Sequence, residues 1–225
     1  RAQFSRMCAE AGITFIGPAP EAIEVMGDKL SAVQLAEEVG VPRVPGSGRV
    51  DKSDSAREFA RAHGYPVLIK ASAGGGGRGM RVVRRDEDLL PQLAAAAAEA
   101  QAAFGDASLY VEKFIERARH IEIQIIGDAH GNVVHLGERD CSTQRRHQKL
   151  IEEAPSPAID ESLRQQLAEA AVKLARHVRY VGVGTVEFVF DDDTRRWYFL
   201  EMNTRIQVEH PVTEMVTGRD LVVEQ

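Results

Sequence analysis

Apolar residues along this chain recur with helical spacing in some stretches and follow strand-like patterns in others. Helical spacing covers residues 4–11, 19–26, 29–39, 53–62, 86–103, 160–177 and 212–216. Runs typical of strands cover residues 13–18, 65–70, 80–84, 109–113, 120–125, 133–138, 184–190 and 197–200. The mixture predicts an α+β fold. Residues 44–48, which contain Gly and Pro, are predicted to be a linker into a smaller lobe at about residues 45–113.

Two carboxylates and an amide are predicted to meet at the end of a hairpin. The strand 184–190 and the run 197–200 flank a polar turn, which predicts an antiparallel pair. Glu187 and Glu201 would then lie on paired strands, and Asn203 would point to the same side as Glu201. Mg²⁺, or Mn²⁺ in its place, takes oxygen ligands of this kind and leaves other positions to phosphate and water. The alternative is a solvated strand end with an ordinary Asn turn.

A glycine-rich run at residues 74–79 lies between two predicted strands. It is neither a dinucleotide-binding fingerprint, which needs a helix after the glycines, nor a Walker A loop, which ends in Gly-Lys-Ser or Gly-Lys-Thr. A glycine hairpin can still fold over phosphates and donate backbone N–H groups to them. Lys70 ends an apolar strand, so its charge needs a partner, and a phosphate is one candidate. The alternative is an ordinary surface hairpin.

Composition narrows the classes of function. The 225 residues carry a formal net charge of −6, which argues against generic nucleic-acid binding. Residues 139–149 include four permanently positive side chains and so predict a local basic cluster for anions. The two cysteines lack the spacing of a zinc site, and no apolar run is long enough for a membrane span. These features predict a cytoplasmic protein, or a mitochondrial-matrix protein in a eukaryote.

Four segments of the chain carry long, specific strings of polar residues and glycines. They are Met26–Lys29, Lys70–Met80, Glu138–Lys149 and Glu201–Glu214. In order and spacing they resemble biotin carboxylases, which are ATP-grasp enzymes. The resemblance implies an ATP-grasp fold in which two lobes clamp ATP and residues 45–113 form the lid. It also implies that residues 1–27 end a truncated N-terminal lobe, that residues 28–225 are the ATP-grasp domain, and that a C-terminal lobe is missing.

The resemblance assigns a nucleotide site. In that family, the residues that match the following positions contact ATP: Lys29, Lys70, Gly75, Gly76, Gly77, Glu112, Lys113, Ile115, His120, Gln144, His147, Val189 and Leu200. Some of these positions have ordinary alternatives. Lys29 also suits a solvated helix start, the segment 112–115 an ordinary hinge, and His120 a structural strand edge.

The resemblance also implies the chemistry. Bicarbonate attacks the γ-phosphate of MgATP, and the resulting carboxyphosphate supplies CO₂ to a biotin held on a carrier protein. Glu209 is implied to be the base that deprotonates bicarbonate, and Lys149 to reach the bicarbonate and the phosphates. Arg205, Gln207 and the backbone of Val208 are implied to hold the bicarbonate. Arg205 would also stabilise the biotin enolate, because a fixed guanidinium suits a developing oxyanion.

The implied partners are a biotin carboxyl carrier domain and a carboxyltransferase subunit, in a homodimer or a larger assembly. The Glu-Glu-Ala-Pro sequence at residues 152–155 resembles acyl-CoA carboxylases of the acetyl-, propionyl- or methylcrotonyl-CoA type more than pyruvate carboxylases. Two alternatives stay open. One is another ATP-grasp ligase, such as a carbamoyl-phosphate ligase, and the other is a non-catalytic fragment that serves as a binding or assembly module. Neither a nucleic acid nor a membrane is a predicted partner.

Overall fold

The computed structural model describes residues 1–50, 53–72, 80–146 and 148–225, with the side chains of residues 29, 30 and 53 left out. The chain divides into two compact units. The larger unit comprises Arg1–Arg43 with Ala118–Gln225, and the smaller unit comprises Val44–Arg117. Each unit has a hydrophobic core of its own.

Both units combine helices with an antiparallel sheet. The helices are α1 (Ala2–Glu10), α2 (Pro20–Gly27), α3 (Lys29–Glu38), α4 (Ser53–His63), α5 (Asp86–Phe104), α6 (Glu161–His177), α7 (His210–Thr217) and α8 (Leu221–Glu224). The strands are β1 (Gly46–Arg49), β2 (Val67–Ala71), β3 (Met80–Val83), β4 (Leu109–Lys113), β5 (Ala118–Gly127), β6 (Val133–Arg145), β7 (Gln148–Glu153), β8 (Gly182–Asp191) and β9 (Arg196–Asn203). The strand orders are β1-β4-β2-β3 in the smaller unit and β7-β6-β5-β8-β9 in the larger. The predicted α+β fold is confirmed.

The larger unit is built on β5, whose side chains are buried on both faces of the sheet. Ile121, Ile123 and Ile125 belong to the hydrophobic core, together with apolar residues of α6. The alternate positions carry Glu122 and Gln124, which are also fully buried. Buried polar side chains need polar partners, since an unpaired one costs free energy. β5 therefore separates the hydrophobic core from a polar site on the opposite face of the sheet.

The smaller unit packs α4 and α5 on its own sheet. Phe59 of α4 and Leu89 of α5 share a hydrophobic cluster with Val67 of β2. β2 lies between β3 and β4, so Lys70, near the end of β2, pairs across the sheet with residues of both neighbours. The sheet thereby places Lys70 beside Glu112 of β4, with which it forms an ion pair.

Several predicted elements are confirmed to within a residue. α5 and α6 begin at the predicted residues, and α6 is capped by Asp160, whose Oδ1 accepts a hydrogen bond from the backbone N–H of Leu163 at 2.9 Å. Gly218 ends α7 in the left-handed conformation, with φ of 69°, as a helix C-terminus favours. In the described part of the chain, none of the helices has the length and apolar character needed to cross a membrane.

Other predicted elements are wrong. Residues 13–18 form no strand, because the backbone N–H of Ile13 donates to the carbonyl oxygen of Cys8 at 2.8 Å and so closes the end of α1. The predicted linker at 44–48 contains the start of β1. β6 continues through the charged run as far as Arg145, where it pairs with β7, which was not predicted. β9 is also longer than predicted, so Glu201 lies inside a strand rather than just after it.

Candidate active site

A row of charged side chains crosses the sheet of the larger unit. Arg139 on β6, Glu122 on β5, Glu187 on β8 and Glu201 on β9 are direct cross-strand partners, each with the next. Residues directly opposite on neighbouring strands lie on the same face of a sheet, and like charges placed this way repel. Three adjacent carboxylates therefore need cations among them. These four residues, called the charged row below, form the centre of the candidate site.

Lys149 supplies a cation to the middle of the charged row. Its Nζ donates to Glu122 Oε2 at 2.6 Å, to Glu187 Oε1 at 3.0 Å and to Glu209 Oε1 at 2.6 Å. Burial alone would lower the pKa of this ammonium, but the neighbouring carboxylates, Glu122 first, outweigh burial and raise it. Lys149 therefore stays charged throughout the neutral pH range.

Glu187 is buried and yet ionised, because donors surround both of its oxygens. His120 Nε2 lies 2.9 Å from Oε2, while Oε1 accepts from Asn203 Nδ2 at 2.9 Å and from Gln207 Nε2 at 3.0 Å. Burial would raise the pKa of Glu187, but contacts with His120 and Lys149 outweigh it and lower the pKa to about 2. A carboxylate that stays charged at neutral pH can help to hold a cation.

Glu209 immediately precedes α7 and joins the charged row through Lys149. Burial would raise the pKa of Glu209, but the hydrogen bond from Lys149 outweighs it, and the pKa is lowered. At neutral pH, Glu209 is therefore an ionised carboxylate with an ammonium beside it. A carboxylate in that state can accept a proton from a substrate bound within hydrogen-bonding distance.

Glu201 and Asn203 form an oxygen-rich corner with Glu187. Among the residues that the structure describes, Glu201 has no ion-pair partner, and its Oε1 lies 3.4 Å from Asn203 Nδ2. The same Asn203 amide donates to Glu187, so it bridges the two carboxylates. A half-turn of that amide would present its oxygen instead. Two carboxylates and an amide oxygen suit Mg²⁺ or Mn²⁺, so these residues fit the predicted metal site.

Two further groups place potential ligand atoms within 4.8 Å of one another. They are His120 with Glu122 and Glu187, and Glu122 with Cys141 and Glu209. Both groups include carboxylates that already hold the Lys149 ammonium, so a divalent cation there would have to displace Lys149. Burial also raises the pKa of the Cys141 thiol, which keeps the sulfur protonated and makes it a poor ligand. The corner of Glu187, Glu201 and Asn203 shares only Glu187 with Lys149, and Glu201 has no ion-pair partner among the described residues, so this corner fits a divalent cation better than either group.

Three of the residues predicted to bind bicarbonate lie between the end of β9 and the start of α7, whereas the fourth, Lys149, lies on β7. Gln207 is buried, whereas Arg205 is exposed and its Nη2 lies 3.4 Å from Asn203 Oδ1. The side chain of Val208 is 93% exposed, so only its backbone could serve an anion. The guanidinium of Arg205 thus lies beside the oxygen-rich corner and faces solvent, where an anion could reach it.

In the larger unit, the structure describes the side chains of four predicted nucleotide residues. His120 Nδ1 lies 3.1 Å from Gln144 Nε2, so these two side chains meet. Through its other nitrogen, His120 also contacts Glu187 of the charged row. Val189 on β8 and Leu200 on β9 are half-buried. The larger unit therefore connects His120 directly to the charged row, and Gln144 through His120.

The remaining nucleotide candidates belong to the smaller unit or lie outside the described residues. Lys70 is paired with Glu112, so in this structure a carboxylate rather than a phosphate meets its charge. Lys113 Nζ donates to the carbonyl oxygen of Gly64 at 3.0 Å, and Ile115 is half-buried. The side chain of Lys29, the glycines Gly75, Gly76 and Gly77, and His147 lie outside the part of the chain that the structure describes.

Sequence reasoning missed two members of the charged row, Glu122 and Arg139. Arg139 was assigned to a local basic cluster for anions, but it is fully buried and its Nε donates to Glu122 Oε1 at 2.6 Å. The predicted cluster is therefore wrong in part, because some of its positive charge is paired inside the protein. Polar and apolar residues alternate at positions 120–125, which places Glu122 on the same face as His120. This alternation was the signal in the sequence that could have identified Glu122 as a site residue.

Comparison with known proteins identifies the family. Residues 28–225 match the family model described as "Carbamoyl-phosphate synthase L chain, ATP binding domain". The biotin carboxylase of Nostoc sp. is 60% identical over 100% of this chain, which covers 50% of that protein. Pyruvate carboxylase 1 of Caenorhabditis elegans is 54% identical over 100% of this chain, which covers 19% of that protein. The chain thus spans about half the length of the Nostoc relative and a smaller share of the longer pyruvate carboxylase.

A solved structure extends the comparison to the fold. It is a crystal structure of the biotin carboxylase domain dimer of Hydrogenobacter thermophilus 2-oxoglutarate carboxylase, in complex with MgADP, ADP and bicarbonate. The match has a TM-score of 0.83 at 52% identity and covers 99% of this chain and 49% of that chain. Since the family model matches most of the sequence, the chain belongs to the family of carbamoyl-phosphate synthase L chain ATP-binding domains and has the ATP-grasp fold of its biotin carboxylase relatives.

Proposed function

We propose that this chain carries the ATP- and bicarbonate-binding centre of a biotin carboxylase, a ligase that forms a carbon–nitrogen bond and hydrolyses ATP. The observation that carries the proposal is the charged row, in which Glu187 and Glu201 are cross-strand partners beside the Lys149–Glu209 ion pair. The first pair suits a metal-bound phosphate, and the second suits a substrate that gives up a proton. The related Hydrogenobacter domain was crystallised with MgADP and bicarbonate, which supports the same ligands here.

The proposed reaction begins when Glu209 takes the proton of bicarbonate. A carbonate oxygen then attacks the γ-phosphorus of ATP, the bond from that phosphorus to ADP breaks, and carboxyphosphate forms. Carboxyphosphate releases CO₂ and a fully deprotonated phosphate, which takes the N1′ proton of biotin, and the resulting N1′ anion attacks the CO₂. Lys149 and Arg205 hold the anionic groups in place through this sequence, and Arg205 meets the enolate oxygen of biotin. A Mg²⁺ held by Glu187, Glu201 and Asn203 would neutralise phosphate charge.

Carboxylation of free biotin by the full-length protein tests the proposal. The assay supplies MgATP, labelled bicarbonate and biotin, and measures acid-labile label on biotin together with ADP. We expect label in biotin only when ATP and a divalent cation are both present. Absence of labelled biotin at saturating substrates would contradict the proposal and would favour a non-catalytic binding or assembly module.

A carbamoyl-phosphate type of ligase is the second candidate, and the description of the matching family model favours it. Both reactions begin with bicarbonate and ATP, so the metal corner would serve either. They differ in the acceptor, which is ammonia in one case and biotin in the other. The same assay with ammonia in place of biotin discriminates them, since carbamoyl phosphate would form only in the second candidate.

The identity of the acyl group that finally receives the carboxyl group is a more specific proposal. We propose an acyl-CoA carboxylase of the acetyl-, propionyl- or methylcrotonyl-CoA type, which the Glu-Glu-Ala-Pro sequence at residues 152–155 supports. The 54% identity to a pyruvate carboxylase means that overall similarity does not separate the two types. The test is transfer of label from carboxybiotin to each CoA thioester and to pyruvate by the complete carboxylase.

The partners follow from the proposed reaction. We propose a biotin carboxyl carrier domain that delivers biotin, a carboxyltransferase subunit that receives carboxybiotin, and a homodimer or larger assembly. The dimer of the related Hydrogenobacter domain supports the last of these. We also propose residues 28–225 as the ATP-grasp domain, with residues 45–113 as its lid and residues 1–27 as the end of a preceding lobe. The cytoplasm, or the mitochondrial matrix in a eukaryote, is the proposed compartment.

A further inference from the structure

Arg139 is a fully buried guanidinium with polar partners around it. Its nitrogens contact Glu122 Oε1 at 2.6 Å, Gln124 Oε1 at 2.6 Å, Thr213 Oγ1 at 2.7 Å, and Thr185 Oγ1 and Gln207 Oε1 at 3.4 Å each. Taking a charge out of water is costly, and replacing a buried ion pair by apolar residues is often neutral or favourable for stability. Stability alone is therefore a weak reason for a buried arginine here.

Two partners of Arg139 lie on either side of Glu209 in the sequence. Gln207 comes two residues before Glu209, and Thr213 comes four residues after it on α7. Arg139 lies on the neighbouring sheet, on β6. One rigid guanidinium therefore contacts the chain both before and after the proposed base, and ties that segment to the sheet.

Arg139 also reaches Glu209 by a second route. One oxygen of Glu122 accepts from Arg139, and its other oxygen accepts from Lys149 at 2.6 Å. Lys149 in turn donates to Glu209 at 2.6 Å. Glu122 is thus held between two cations, so the position of the Lys149 ammonium depends on where Arg139 holds Glu122.

We propose that Arg139 is a positioning residue for the proposed base, acting through Thr213 and Gln207 on the chain and through Glu122 on Lys149. It keeps Glu209 and the Lys149 ammonium in one geometry, in which a bicarbonate bound beside them can lose its proton. Arg139 itself touches neither substrate nor nucleotide in this account. The inference rests on the proposed function, since it assigns Arg139 to the bicarbonate step of that reaction.

A merely structural role predicts a different result. If Arg139 only stabilised the fold, weakening its contacts would lower stability and leave the kinetic constants of the folded enzyme unchanged. A positioning role predicts a specific loss in the use of bicarbonate, because displacing reacting groups by about 1 Å can cost about 10²-fold in rate. The Michaelis constant for ATP should change little, since Arg139 contacts none of the predicted nucleotide residues in the described part of the chain.

Substitutions at Thr213 give the mildest test. Thr213→Val keeps the shape of this buried side chain but removes the oxygen that accepts from Arg139, whereas Thr213→Ser keeps that oxygen. Thr217→Val is the matched control. It removes a hydroxyl from the same helix, but this hydroxyl donates to the Thr213 carbonyl oxygen and does not contact Arg139. In bicarbonate-dependent ATP hydrolysis by the full-length protein, we expect Thr213→Val to lower kcat/KM for bicarbonate about tenfold, the usual effect of one hydrogen bond to a charged group. Thr213→Ser should restore it, and KM for ATP should not move.

Arg139→Lys gives the stronger test. Lysine keeps the charge but lacks the planar fork, so it cannot contact Glu122 and Thr213 in the same way. We expect kcat/KM for bicarbonate to fall about 10²-fold. Thermal unfolding of each variant separates lost folding from lost positioning, and the Thr213 variants decide the question if Arg139→Lys does not fold.

The outcomes are separable. If the wild-type protein shows no bicarbonate-dependent ATP hydrolysis, the proposed function falls and the inference about Arg139 falls with it. If the wild type is active and Thr213→Val behaves like Thr217→Val, the positioning role alone is overturned. It is also overturned if Thr213→Val lowers the unfolding temperature and leaves kcat/KM for bicarbonate unchanged.

Discussion

Lys149 is the residue on which the electrostatics of the site depend. Its single ammonium is shared by three carboxylates, and the buried Arg139 provides the other permanent cation of the centre. Two permanent cations therefore face four carboxylates, Glu122, Glu187, Glu201 and Glu209, before any substrate binds. An anionic substrate gains little from this centre alone, so in the proposed reaction the phosphates would rely on a bound Mg²⁺ and the bicarbonate on the exposed Arg205.

Glu209→Gln tests the proposed base. Glutamine has the same shape as glutamate but cannot take a proton, so turnover of biotin carboxylation in the full-length protein should fall roughly 10²- to 10⁴-fold. ATP binding, measured by calorimetry, should be nearly unchanged, because Lys149 keeps its bonds to Glu122 and Glu187. A variant with normal turnover would remove Glu209 from the mechanism.

Glu201→Gln tests the proposed metal corner. Glu201 has no ion-pair partner among the described residues, so replacing it removes a candidate metal ligand without breaking a salt bridge there. We expect the affinity for MgATP to fall much more than the affinity for ATP measured with a chelator present. Equal losses in the two titrations would show that Glu201 does not act through the metal.

The pH dependence of stability tests the charge state of Glu187. Its folded pKa is about 2, below the ordinary value of 4.5, so the unfolded chain binds this proton more readily than the folded chain. The stabilisation from the ionised carboxylate is therefore present above about pH 5 and is lost as the pH falls towards 2, by on the order of 3 kcal/mol. In metal-free urea titrations, the free energy of unfolding of Glu187→Gln should fall less steeply over this range than that of the wild type.

An exposed carboxylate provides the control for this measurement. Glu10 lies exposed at the end of α1, so Glu10→Gln should follow the wild-type slope. If the free energies of unfolding of the wild type and Glu187→Gln fell equally steeply with decreasing pH, the lowered pKa of Glu187 would be contradicted.

At the residue scale, the sequence predicted part of the site. Cross-strand placement of Glu187 and Glu201 followed from a hairpin that is local in sequence, and the structure pairs them directly. Glu122 and Arg139 were not predicted as partners, because their pairing depends on the register between β5 and β6, which the hydrophobic pattern does not specify residue by residue. A charged residue in a run of charges also looks solvated until its neighbours across the sheet are known.

At the scale of elements, the end of β5 lies very close to the backbone of a neighbouring segment. Gly127 pairs with Gly182 of β8, and a Cβ on Gly127 would lie 2.1 Å from the carbonyl oxygen of Tyr180. Tyr180 is fully buried, so this backbone oxygen has little freedom to move. Glycine is required here because of space rather than because of backbone conformation.

Gly127→Ala tests this packing. Forcing a methyl group against a buried backbone oxygen should lower the free energy of unfolding by about 1–3 kcal/mol. Gly27→Ala is the matched control, since a Cβ at Gly27 would meet no atom within 4 Å and alanine suits the end of α2. Urea titration of both variants is the measurement, and equal midpoints would contradict the account of Gly127.

Helices and strands were predicted correctly where the periodic pattern extends over many residues, and wrongly where it extends over only a few. α5 and α6 are long helices whose spacing of apolar residues repeats over several turns, and their starts were predicted correctly. Residues 13–18 have the composition of a strand, but their backbone is used in part to close α1. β7 carries charged and exposed apolar residues instead of an alternating pattern, so only pairing with β6 reveals it.

At the scale of the whole molecule, the proposed chemistry is concentrated in one unit. The charged row, Lys149 and Glu209 all belong to the larger unit, whose core of β5, β8 and α6 residues supports the sheet from the other face. The smaller unit contributes its own candidate pair, Lys70 with Glu112. The central claim is therefore that the larger unit activates bicarbonate for attack on a phosphate.

Transfer of oxygen from bicarbonate to phosphate tests that claim most directly. The full-length protein is incubated with MgATP, biotin and bicarbonate labelled with ¹⁸O, and the inorganic phosphate produced is analysed by mass spectrometry. If bicarbonate attacks the γ-phosphorus and carboxyphosphate then loses CO₂, the attacking oxygen stays on phosphorus, and ¹⁸O appears in the phosphate. The signal should fall with turnover in Glu209→Gln. Phosphate that contains only oxygen from ATP and water would show that water, not bicarbonate, is the nucleophile, and would contradict the account.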